Sequence, residues 1–145
     1  MHAADAARRI DEKYVVTGQV RVGYMHYAFL GPESVWAAEA SECAADQDNF
    51  WEYHNTLYAN QNGENRGAFE KEKLKQFAAA LGLDATTFNA CLDSGKYNRS
   101  VLGQSQALQS LGVSSTPTFV INDQALVGAQ PFEMFQQVIE QELSK

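Results

Sequence analysis

Pro117 stands immediately before an apolar, β-branched run in the stretch SSTPTFVIND, residues 114–123. Proline has no N–H for a ladder bond, so a sheet admits it only at a strand start, an edge or a bulge. TFVI and a second short run, ALV at 125–127, are split by NDQ, and the pair reads as a hairpin. After GAQ, Pro131 suits the first turn of a last helix. Phe132, Phe135, Val138, Ile139 and Leu143 form that helix's apolar face.

The rest of the chain is organised around helices. Residues 3–16 read as a helix with Ala3, Ala6, Ala7, Ile10 and Tyr14 at i, i+3/i+4 spacing, stopped by Gly18. QVRVGYMHYAF, residues 19–29, is β-rich, with Val20, Val22 and Tyr24 on one face. GPES turns the chain, and Ser34 suits the N-cap of a helix through about Cys43. Phe50, Tyr53, His54, Leu57 and Tyr58 share the face of a further helix, and Leu74, Phe77, Ala78 and Leu81 share another, closed by Gly82. Asp84 suits the cap of a short helix carrying Phe88, Cys91 and Leu92. Val101, Leu108 and Leu111 mark the next, closed by Gly112. The order is α-β-(helical block)-β-β-α. A helix followed by a strand is half of a βαβ crossover, so the pattern expects one more strand ahead of Met1.

Composition narrows the function classes. The 145 residues suit one domain, and 45% hydrophobic with 20% charged residues suits a packed globular chain. The formal net charge of -7 leaves no basic stripe for nucleic acid. No stretch approaches the ~18 apolar residues of a membrane span. MHAADAARRI has no apolar core of a signal peptide. The two cysteines, Cys43 and Cys91, and three scattered histidines lack zinc-ligand spacing, so no metal is expected. NQNGENRGAF, residues 60–69, has no phosphate-loop pattern, and no cofactor is expected. The acids near residues 11 and 70 read as exposed helix faces with i, i+4 pairs. The aromatic group Phe50, Trp51, Tyr53, His54 and Tyr58 has helical spacing and reads as packing rather than as a ligand box.

AAEASECAADQDNFWEYHNTLYANQ, LGLDATTFNACLDSGKY, LGVSSTPTFVIND and LVGAQPFEMFQQVI together closely resemble the DsbA-like branch of the thioredoxin superfamily. The resemblance covers essentially the whole chain. It implies an α/β, thioredoxin-like fold with an inserted all-helical domain and the first core strand missing. Residues 1–32 and 112–145 would form the core and 33–111 the insertion. Thr116-Pro117 resembles the family's cis-proline element, which binds substrate; the residues alone leave cis and trans open. Family members carry Cys-x-x-Cys just before a segment like MHAADAARRIDEKYV, and no such motif stands here. The catalytic cysteine pair would therefore belong upstream of Met1, and no catalytic residue is expected within the chain. The chain is expected to be truncated and redox-inactive as given. His26, at the end of the β-rich stretch, would lie near the missing thiols. The resemblance also implies a structural disulfide between Cys43 and Cys91, where the residues alone leave two buried thiols equally open. The partners it implies are cysteine-containing or extended polypeptides, with a homodimer by strand exchange, in an extracytoplasmic or periplasmic setting. Two other readings keep the fold: a non-catalytic peptide-binding or oligomerising module, and a glutathione-dependent isomerase or transferase relative.

Overall fold

The computed structural model describes the backbone of residues 2–145 and side chains from residue 5 onward. Met1, ahead of which the sequence pattern expects a first core strand and a Cys-x-x-Cys, lies outside the described residues. The chain divides into two compact units, one of residues 25–111 and one of residues 1–24 with 112–145. The first division falls ahead of residue 32 because the segment after residue 25 is bonded to the helical unit. The His26 N–H donates to Gln104 Oε1 at 2.8 Å and the Ala28 N–H donates to Ser105 Oγ at 2.9 Å.

The helical unit holds α2 (Pro32–Ala45), α3 (Phe50–Ala59), α4 (Lys71–Ala80), α5 (Ala85–Asp93) and α6 (Asn98–Ser110). Ser34 does not cap α2. Pro32 occupies the first turn, where its missing N–H costs nothing, and Gly31 takes the cap with φ 124°. Asp84 caps α5, its Oδ1 accepting the Thr87 N–H at 2.7 Å. Cys43, Tyr53, Leu74, Phe88 and Leu92 are buried in one apolar cluster. The Tyr53 hydroxyl donates to the Leu74 carbonyl at 2.8 Å, which satisfies the one polar atom that ring carries inward. Phe50 and His54 are only half-buried and Tyr58 is exposed, so the aromatic stripe of α3 is part core and part surface.

Glu33 fastens the long loop after α3. Its Oε1 accepts the Gly67 N–H at 2.7 Å and its Oε2 accepts the Phe69 N–H at 2.9 Å. A carboxylate only 8% exposed persists there because both oxygens are hydrogen-bonded and it sits in the first turn of α2.

The other unit holds α1 (His2–Ile10), which runs into a π-helical turn over Asp11–Val15, then β1 (Thr118–Ile121), β2 (Gln124–Val127) and α7 (Phe132–Leu143). β1 and β2 pair antiparallel around the two-residue turn Asn122-Asp123, with Phe119 opposite Leu126. Asn122 takes φ 53°, a left-handed conformation that asparagine tolerates better than most residues. Phe119, Ile121 and Leu126 pack on the buried cluster of Ala6, Tyr14, Phe132, Phe135 and Ile139. Phe119 meets Phe135 edge to face at 4.8 Å between centroids. Val120 and Val127 lie on the opposite, exposed face, as the period-two pleat requires. Of the expected helix faces, Ala7, Leu111 and Leu143 are exposed, and Ala3 lies outside the described side chains.

Residues 19–29 form no strand among the described residues. Val20 packs against the cluster and its N–H donates to the Tyr14 carbonyl at 3.1 Å, but Val22 stays exposed. A β-rich sequence becomes a strand only beside an edge that accepts its ladder bonds, and the described sheet is the β1–β2 hairpin alone.

Candidate substrate-binding site

The Thr116–Pro117 peptide bond is cis. Two hydrogen bonds frame it. The Pro117 carbonyl accepts the Gly128 N–H at 2.8 Å, carrying the hairpin ladder one step beyond β1. The Thr118 hydroxyl donates to the Ser115 carbonyl at 2.7 Å, closing the chain on the other side. Proline is tolerated at residue 117 because it stands just ahead of β1 and the Gly128 carbonyl opposite it accepts the Gln130 N–H at 2.9 Å instead. Thr116 is exposed, and among the described residues its N–H and C=O enter no hydrogen bond. From Val113 to Ile121 there is no charged side chain. An exposed backbone donor and acceptor on a neutral, rigid turn can pair with another extended backbone, whatever side chains that backbone carries.

The sulfur chemistry sits in the other unit. Cys43 and Cys91 are bonded, with S–S 2.04 Å, and these are the chain's only two cysteines. Asp46 lies beside the Cys43–Cys91 bridge, where its carboxylate accepts from Lys96 Nζ at 2.6 Å and from the Tyr97 hydroxyl. Burial pulls the Asp46 carboxyl upward, but those two bonds outweigh it and hold the group below its usual value.

His26 is 4% exposed and belongs to the helical unit, where its Nε2 lies 2.7 Å from Glu42 Oε1. Its partners make it an anchor of residues 26–28 on α2 and α6. His54 is held below the ordinary imidazole value, chiefly by burial, with nearby His26 adding to the shift. A surface cavity of about 530 Å³ lies between Pro32, Trp36, Asn65 and Lys71. Its buried carboxylate, Glu33, is already committed to the Gly67 and Phe69 amides. The groups that the sequence did not single out are Gln104, Ser105 and the Asp46–Lys96–Tyr97 set. Each is an ordinary polar residue on a helix or turn, and only its distant partner gives it a role.

A helix-backed hairpin entered through a cis-proline, with an all-helical block placed in sequence between its two parts, is the architecture of thioredoxin-like proteins. The Thioredoxin family model matches residues 2–141. The chain belongs to the thioredoxin superfamily, in its DsbA-like branch. It is 27% identical over 142 residues to the probable disulfide bond formation protein D of Bacillus anthracis, covering 94% of this chain and 64% of that protein. It is 36% identical over 98 residues to a Na(+)/H(+) antiporter NhaA of Herminiimonas arsenicoxydans, covering 68% of this chain and 15% of the antiporter. The crystal structure of oxidised BdbD from Bacillus subtilis superposes with a TM-score of 0.89 at 24% identity, covering 99% of this chain and 80% of that one, and shares its fold. No helix among the described residues is long and apolar enough to cross a membrane.

Proposed function

We propose that this chain is a thiol–disulfide oxidoreductase domain whose substrate element is Thr116-Pro117, and that these 145 residues alone turn over no disulfide. The observation that carries the reading is the division of labour between the units. The exposed cis-proline turn offers free backbone groups, while both cysteines are consumed in a bridge elsewhere in the chain. Disulfide exchange needs an attacking thiolate and a resolving thiol, and a bonded, buried pair provides neither. The substrates are extended, cysteine-containing polypeptides, which the Thr116 backbone holds as an added strand. The Cys43–Cys91 disulfide supports an oxidising, extracytoplasmic setting. The relatives' names, three of them known or probable disulfide bond formation proteins D, support the same reading.

Two measurements test it. Insulin reduction and dithiol-peptide oxidation with this chain should stay at the uncatalysed rate. An extended cysteine-containing peptide should shift the amide resonances of Thr116 and Thr118, and Pro117→Ala should weaken that binding. Turnover by the chain as it stands, or peptide binding that ignores Pro117, defeats the proposal.

A second reading, a non-catalytic oligomerising module, is favoured by the free edge of β1. Pro117, Phe119 and Ile121 bond or pair toward β2, so the N–H and C=O of Thr118 and Val120 face away from it. Val120 is 68% exposed, and TFVI carries no charge to discourage pairing. Light scattering separates the two: a concentration-dependent dimer lost in Val120→Lys supports this module, and a monomer at 100-fold higher concentration removes it.

A further inference from the structure

The Cys43–Cys91 bridge joins α2 to α5, and its two sulfurs are not equivalent. Cys43 is 1% exposed and packed in the apolar cluster with Tyr53 and Phe88. Cys91 is 8% exposed, and its Sγ lies 3.9 Å from Asp46 Oδ2. A bonded sulfur has no proton to donate, so this is a carboxylate resting against an electrophilic sulfur. Asp46 cannot easily swing away. It ends α2 three residues after Cys43, its own N–H donates to the Glu42 carbonyl at 3.1 Å, and Lys96 and Tyr97 hold its two oxygens.

We propose that Asp46 guards this bridge: an incoming thiolate reaches only Cys91, meets there a carboxylate that both repels it and holds the neighbouring Lys96 ammonium in an ion pair, and must expel Cys43 as a thiolate into an apolar core. The bridge is then a locked staple, slow to exchange with the thiols that a redox domain encounters. The step balances with an external dithiol as the electron source. One thiolate of the dithiol attacks Cys91 Sγ, the S–S bond breaks, and its electron pair goes to Cys43, which takes a proton. The dithiol's second thiolate then attacks its own sulfur in the mixed disulfide, releasing Cys91 and leaving the dithiol oxidised to a cyclic disulfide. The freed Cys91 thiol lies within reach of Asp46 as an acceptor. Like-charge repulsion raises the first barrier and the buried leaving thiolate raises it again.

The test follows reduction of the full chain at pH 8 by dithiothreitol and, separately, by an uncharged phosphine, tris(hydroxypropyl)phosphine. Asp46→Asn should accelerate dithiothreitol by about tenfold at low salt, the scale of one partly screened charge about 4 Å from the reacting atom. The gain should shrink in 1 M NaCl, where screening reaches only ~3 Å. The uncharged phosphine should reduce both proteins at the same rate. Alkylation and peptide mapping of the trapped mixed disulfide should place the first adduct on Cys91. The proposal is overturned by an Asp46→Asn rate equal to wild type with dithiothreitol. It is overturned equally by matched acceleration with both reagents, which marks loosened packing, or by a first adduct on Cys43.

Discussion

Replacing both Cys43 and Cys91 with alanine should destabilise the helical unit by about 4–5 kcal/mol. The bridge spans 48 residues and encloses all of α3 and α4. In the chain-entropy model, cross-linking a loop of that length removes about 4 kcal/mol of freedom from the unfolded chain at 25 °C. Cys43 is fully buried among apolar side chains, so truncating it to alanine adds a small cavity worth ~1 kcal/mol. Urea unfolding followed by tryptophan fluorescence reads this unit by itself, because Trp36 and Trp51, the only tryptophans, both lie within residues 25–111. With an m-value of ~2 kcal/mol/M, the midpoint should fall by about 2 M, and m should rise as the unfolded chain expands without its cross-link. Hydrogen exchange should quicken in α2 and α5. A loss below ~1 kcal/mol with unchanged m would refute the reasoning, since the bridge would then constrain nothing that the packing does not already hold.

Glu33→Gln should cost about 1–3 kcal/mol and speed amide exchange at Gly67 and Phe69, because the amide accepts only one of the two bonds and loses the charge behind it; unaltered exchange at both sites defeats this. Tyr53→Phe should cost ~1 kcal/mol by urea unfolding, the net worth of the bond to the Leu74 carbonyl. Burial pushes that phenol's pKa far upward, so no loss of stability should follow its titration up to pH 10. Acid should act in two stages. His54 has a depressed folded pKa, so its contribution is whole above its ordinary 6.5 and declines as pH falls below it. Asp46, likewise depressed, adds a second decline below 3.8. His54→Gln should flatten the first stage alone in a series of urea midpoints, and an unaltered profile counts against the assignment. Phe135→Ala should cost about 3–5 kcal/mol in the α/β unit, read by exchange in β1 and α7 while α3 and α4 keep their protection.

Local chemistry carried much of the fold. Pro117 before TFVI, the NDQ turn, Pro131 ahead of the last helix and Asp84 ahead of α5 each act on the next few residues, so their effect is legible without a partner. The helical faces of α4, α5 and α7 were legible for the same reason: Leu74 and Ala78, Phe88 and Leu92, Phe132 and Phe135 repeat at the helical period and are buried. Ser34 misled because α2 begins two residues earlier, at Pro32 with Gly31 at the cap, which puts Ser34 inside the first turn. The stretch 19–29 misled more deeply. Val20, Val22 and Tyr24 alternate as a strand should, but alternation says nothing about whether an edge exists to pair with.

By itself the sequence determined the helices, the hairpin near the end of the chain, the neutral proline turn at Thr116-Pro117 and the absence of a Cys-x-x-Cys from these residues, because each is written in adjacent positions. Tertiary structure alone decided that Cys43 meets Cys91 across 48 residues, that Asp46 rests against that bridge, and that His26 spends its imidazole on Glu42. These are contacts between distant segments, and they follow from how helices pack rather than from any local preference of the residues that make them.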